Sequence, residues 1–138
     1  MDSETQIPES DGLCLVTVGL DPDAADQVRQ ASVHAQFGAV TVFPTYSETL
    51  LDGQMRRLLS SAEELVCLID FDKNKDLAVQ TAGGLQASAT GHTTLIALSA
   101  EESPDLILHA MRTGCTEFLT KPLRAEQLSG LLRKLRQR

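Results

Sequence analysis

Tryptophan is absent from this 138-residue chain, tyrosine occurs once and phenylalanine four times, so aromatic residues make up only 4%. Basic residues are also in deficit, 12 Lys and Arg against 19 Asp and Glu, for a net charge of −7. That sign opposes binding to nucleic acid or to an anionic bilayer. No apolar run reaches the roughly 18 residues that cross a membrane, and Met1-Asp2-Ser3-Glu4 lacks the basic and apolar regions of a secretory signal. No membrane insertion is expected. Cysteine is scarce: Cys14 and Cys67 sit inside apolar runs and Cys115 follows a glycine, the pattern of buried thiols in a reducing compartment, here the cytoplasm. No Gly-x-x-x-x-Gly-Lys-Ser/Thr loop occurs, so an ATPase of that class would have to lie beyond Arg138. His34, His92 and His109 share no ligand spacing, and no metal site is expected of them.

What is present is an ordinary globular mix, 42% apolar and 22% charged, in a length that suits one domain. Residues 1–11 hold four acids and a proline, too polar to offset the cost of ordering, and read as a mobile acidic tail ahead of a domain over 12–138. Five short apolar runs read as strands: Leu13 to Val18, Val40 to Phe43, Leu65 to Ile69, Thr94 to Leu98 and Glu117 to Leu119.

Segments with helical period separate the strands. Asp21-Pro22 offers a capping acceptor and a pre-set φ, after which Val28, Ala31 and Ala35 share a face up to a stop at Gly38. Thr45 and Glu48 have capping-box spacing ahead of Leu51, Met55, Leu58 and Leu59. A helix from Asp76 to about Ala89 is weakened by Gly83-Gly84, each glycine costing roughly 1 kcal/mol against alanine. Ser103-Pro104-Asp105 starts another, with Ile107, Ala110 and Met111 on its core face and Gly114 as its stop. Leu128, Leu131, Leu132 and Leu135 make the last apolar stripe. Alternating strand and helix calls for an α/β fold, a parallel sheet covered by helices on both faces.

Chemistry in such a sheet gathers outside the carboxyl ends of its strands. There strand one delivers Gly19-Leu20-Asp21, strand three Asp70 with Asp72 two further on, strand four Ser99, and strand five Lys121-Pro122. An Asp, a Ser and a Lys in this order and spacing resemble the response-regulator receiver domains, over about residues 13–136. The resemblance implies a single flavodoxin-like (CheY-like) domain, doubly wound, with strand order 2-1-3-4-5. It implies that Asp70 stands at the phosphoacceptor position, Ser99 and Lys121 at the phosphoryl-contact positions, and Phe118 at the switch-aromatic position. Within the atypical receivers, Ser103 to Leu119 is similar to the helix-four and strand-five stretch of pilus-assembly proteins of the CpaE/TadZ type, whose receiver-like N-terminal domain precedes an ATPase. The chain then reads as the N-terminal part of such a protein.

The departures from the receiver pattern bear on function. Receivers place two acids after strand one to hold Mg²⁺, and here those positions are Gly19 and Leu20. Mg²⁺ needs near-octahedral oxygen ligation at about 2.1 Å, which neither side chain supplies, so Mg²⁺ binding is expected to be weak or absent and no other cofactor is implied. Phosphoryl transfer runs on positioning and charge neutralisation, and Lys121 alone leaves the incoming charge on Asp70 uncompensated. Lys73 and Lys75 could lend charge, although loop lysines are usually solvated.

Two readings stay open. One is a non-enzymatic pseudo-receiver that makes protein contacts without phosphorylation, with Asp70 and Lys121 serving as a structural ion pair; the other is a phospho-accepting receiver using Asp70. A flavin carrier on the same fold is set aside because Asp21-Pro22-Asp23 would repel a phosphate. Residues from Ser103 onward carry seven Lys or Arg against three acids, a net +4 that leaves −11 for the rest. A basic end on an acidic body can steer docking, and in receivers the helix-four, strand-five, helix-five face is the usual partner surface. Leu106, Leu108, Met111, Arg112 and Arg124 are therefore expected to line a face for a protein partner or a second copy.

Overall fold

The computed structural model describes residues 13–37, 40–46, 53–88 and 92–136. The acidic segment 1–11, Gly38, Glu48, Leu51, Ala89 and Arg138 lie outside the described residues. The elements alternate as expected: β1 Leu13–Val18, α1 Pro22–Ala35, β2 Val40–Phe43, α2 Gly53–Ser61, β3 Glu64–Asp70, α3 Lys75–Ser88, β4 His92–Ser99, α4 Pro104–Arg112, β5 Cys115–Thr120 and α5 Ala125–Arg136. All strand pairs are parallel and the sheet order is β2-β1-β3-β4-β5. This is the flavodoxin-like arrangement.

The central strands are apolar on both sides because helices cover both faces. On one side Val16, Val18, Cys67, Ile69, Leu95 and Ala97 pack with Met55 and Leu59 of α2, Ala78 and Leu85 of α3 and Ala110 of α4. On the other, Leu15, Val66, Leu68, Ile96 and Leu98 pack with Val28 and Ala31 of α1 and Leu128, Leu132 and Leu135 of α5. α1 and α5 thus share one face, and Gln27 Oε1 of α1 accepts the Ala125 N–H at 2.9 Å, capping the start of α5.

The start signals act as read. Asp21 accepts from Ala24 N at 3.1 Å with Pro22 following, and Ser103 Oγ accepts from Leu106 N at 3.1 Å with Pro104 following. α3 continues through Gly83-Gly84, held by Ala78, Thr81, Ala82 and Leu85 in the core. α1 ends in a way the sequence does not signal: Gln36 takes a left-handed φ of 62°, and its N–H bonds back to Ser32 O and Val33 O.

Two expectations are corrected. β5 begins at Cys115 rather than Glu117, because Cys115 pairs with Leu95 before a register shift between Leu95 and Ile96. The inner face of α4 is Leu106 and Ala110, while Met111 is 40% exposed. A helix beginning at Pro104 turns its i, i+4 pair Leu106 and Ala110 towards the sheet, so Leu106, only 6% exposed, is core and not part of a partner face. Leu108 is 49% exposed, and Arg112 and Arg124 are exposed as well.

Candidate functional site

At the carboxyl edge of the sheet the structure brings Asp70, Ser99 and Lys121 together and adds Asp72. β3 is buried along Leu65–Asp70, and it carries the Asp70 carboxylate into the interior, with the residue fully buried. A buried carboxylate needs donors or a counter-ion to offset lost hydration. Oδ1 accepts from the N–H groups of Asp72 at 2.7 Å and Lys73 at 3.3 Å, so the side chain folds the loop after β3 around itself. Oδ2 meets Lys121 Nζ at 2.7 Å and takes no other donor among the described residues.

Asp72 is drawn into the same cluster. Its Oδ1 accepts the Ser99 hydroxyl at 2.5 Å, and its Oδ2 accepts the Ala100 N–H at 2.9 Å and lies 3.0 Å from Lys121 Nζ. Burial works against the Asp72 charge, but the bonds from Ser99, Ala100 and Lys121 outweigh it and hold the carboxyl below its usual range. Burial likewise works against charge on Lys121, and the two carboxylates beside it prevail, raising the ammonium above its usual range. Lys73 and Lys75 are both exposed.

The space beside Asp70 on the β1 side belongs to Tyr46. This residue follows β2, is 8% exposed and donates its hydroxyl to the Asp70 backbone carbonyl. The ring lies over Gly19: a Cβ there would sit 2.9 Å from Tyr46 Cζ, and Gly19 has a φ of +75°, a conformation open mainly to glycine. Leu20 does not wall the site, since it turns into the α1–α5 cluster at 5% exposure. Burial, first, and then the charges of Asp70 and Asp72 push the Tyr46 phenol up to about 12, against a lowering contact from Asn74.

An octahedral Mg²⁺ does not suit these residues. Glycine and leucine stand where the two acids would be, a phenol ring covers the glycine, and both remaining carboxylates are bonded to amides, a hydroxyl or an ammonium. Phe118 is half-buried and packs against the α2–α4 core. His34, His92 and His109 are apart on α1, β4 and α4, and no group of three or more His, Cys, Asp or Glu among the described residues is placed to hold a metal. No described helix is long and apolar enough to cross a membrane. Cys67 and Cys115 are buried and Cys14 is half-buried, all three as free thiols.

Sequence reasoning missed Tyr46 and the bonding of Asp72. The available signals were the lone tyrosine just after β2 and a second acid two residues beyond Asp70, neither of which specifies a partner.

No protein-family model matches the chain, and a search of curated proteins gives no match. Solved structures do match in fold. A CheY-like protein (TadZ) from Pseudomonas aeruginosa superposes with a TM-score of 0.71 at 24% identity, covering 89% of this chain and 98% of that one. A response regulator from Thermotoga maritima gives 0.74 at 17% identity, covering 91% and 98%. The pilus assembly protein CpaE from Caulobacter crescentus gives 0.67 at 14% identity, covering 89% and 98%. The fold is that of CheY-like receiver domains, those of pilus assembly proteins among them.

Proposed function

We propose that this receiver fold serves as a pseudo-receiver, a protein-contact module that is not an enzyme, requires no metal and works without phosphorylation. The observation that carries this is the end of β1, where Gly19 and Leu20 offer no side-chain oxygen and the Tyr46 ring fills the space over Gly19. Phosphoryl transfer to a buried carboxylate needs its charge neutralised as it develops. Here the Lys121 ammonium is already shared between Asp70 and Asp72. Pilus assembly proteins are among the solved structures of similar fold, and together with the resemblance over Ser103 to Leu119 this suits a setting in which the domain is the N-terminal part of a pilus-assembly ATPase and positions it in the cytoplasm. The contact face runs over α4, β5 and α5, where Leu108, Met111, Arg112 and Arg124 are exposed. Its occupant is a protein, or a second copy of this chain, and not nucleic acid.

A phospho-accepting receiver is the second reading, favoured by the approach of Lys121 to Asp70 with Ser99 nearby. Adding Mg²⁺ and beryllofluoride to the wild type while following backbone amide signals separates the two. The pseudo-receiver reading expects no saturable shift at Asp70, Ser99, Ala100 or Lys121. Saturation at millimolar Mg²⁺ or below overturns it.

A further inference from the structure

We propose that the groove between α1 and α5 is a docking site for an acidic peptide, and that its occupant is the chain's own acidic segment, residues 2–11. The groove runs along the solvent side of the two helices as two hollows of about 520 and 320 Å³ that share His34 and Arg133. Its walls are cationic: Arg124 stands at the start of α5, Arg133 and Arg136 stand in its last turn with His34 across from them on α1, and Glu126 is the single acid. Among the described residues no carboxylate pairs with any of these arginines. Arg133 reaches Ser129 Oγ at 3.4 Å and Arg136 reaches Gln36 Oε1 at 3.5 Å, both neutral acceptors at long range. Cations in the last turn of a helix complement its dipole, which accounts for the positions of Arg133 and Arg136. Arg124 stands at the opposite, positive end, where the same field favours an anion.

Topology brings the acidic segment to this groove. α1 and α5 each follow the carboxyl end of a strand and run back, so their last residues share the amino edge of the sheet with Leu13 at the start of β1. The contact of Gln36 with Arg136 joins the two helix ends there, and Leu13 packs into the same α1–α5 layer. The segment ahead of Leu13 is therefore attached beside the Arg136 end of the groove. It carries Asp2, Glu4, Glu9 and Asp11 and no Lys or Arg. Ten extended residues reach about 33 Å, against about 18 Å for the length of α5, enough to run from Arg136 to Arg124. Exposed ion pairs are individually weak. Attachment to β1 supplies an effective concentration of about millimolar or above, which lets several of them act together. With the segment in place the groove is closed to other anions until an acidic ligand displaces it.

The test uses the full chain at low salt and follows its backbone amide signals. Neutralising all four acids together, with Asp2→Asn, Glu4→Gln, Glu9→Gln and Asp11→Asn, should shift the amides of His34, Gln36, Arg133 and Arg136. Raising the wild type to 1 M salt should move the same signals in the same direction, because charge then reaches only about 3 Å. From the other side, Arg133→Gln with Arg136→Gln should release the segment and bring the amides of Glu4 and Glu9 to the positions they take in wild-type protein at 1 M salt. Should the arginine variant fail to fold, the four-acid variant decides. Groove amides that are the same in the four-acid variant and the wild type at low salt overturn the proposal. So do shifts that grow with protein concentration, since a second copy would then be supplying the acids.

Discussion

Tyr46 is the one tyrosine of a chain without tryptophan, so its phenol can be followed alone. Its ring needs the glycine at 19, its hydroxyl bonds the Asp70 carbonyl, and its proton is held by burial and by the charges of Asp70 and Asp72. An ultraviolet titration of the native protein should show tyrosinate at about 12 instead of 10.0, and Asp70→Asn should bring it down by removing one of those charges. Ionisation near 10 with native circular dichroism would contradict the packing. A raised phenol and a raised Lys121 ammonium contribute stability that is complete below their ordinary values and is lost as pH rises through their folded ones, while the depressed Asp72 carboxyl contributes above 3.8 and loses its share as pH falls below. The site is therefore most stabilising across the broad range between, with Asp72 setting its acid limit and Tyr46 with Lys121 its alkaline one.

Helix boundaries separate what was legible in the sequence from what was not. Asp21-Pro22 and Ser103-Pro104 were readable because capping is local chemistry, an acceptor beside a fixed φ. The left-handed Gln36 and the inward turn of Leu106 were not, since tertiary packing decides which face a short helix buries. The same division runs through the site: the strand-end positions of Asp70, Ser99 and Lys121 follow from strand order, whereas Tyr46 over Gly19 and Asp72 across to Ser99 are contacts between distant segments. At the element level α4 offers a quantitative comparison. Ser103→Ala removes one cap bond and should cost about 1 kcal/mol in urea unfolding. Gly114→Ala should cost more, at least about 2 kcal/mol, because φ is +113° and the new Cβ would run into Gln86 Cγ. Gln86 is itself held in place by a bond from its Nε2 to the Gly114 carbonyl at 3.1 Å. Equal costs, or the reverse order, would show that Gly114 is not constrained by its surroundings.

For the molecule as a whole the charge division sets the kind of contact the α4–β5–α5 face can make. Leu108 at 49% exposure and Met111 at 40% give it an apolar centre, while Arg112 and Arg124 are exposed on the same elements and loops. Two copies meeting through this face bring like charges together. Screening shortens the reach of that repulsion from about 10 Å at 0.1 M salt to about 3 Å at 1 M. Self-association through this face should therefore tighten as salt is raised, whereas an acidic partner would be released. In analytical ultracentrifugation at high salt, Leu108→Ser with Met111→Ser should weaken self-association about tenfold by removing the apolar centre. Val33→Ser is the control, since Val33 is 76% exposed on α1, which packs on the opposite face of the sheet from α4. Self-association that weakens with salt, or that responds to Val33 and not to Leu108 and Met111, would place the contact between the acidic body and the basic end instead.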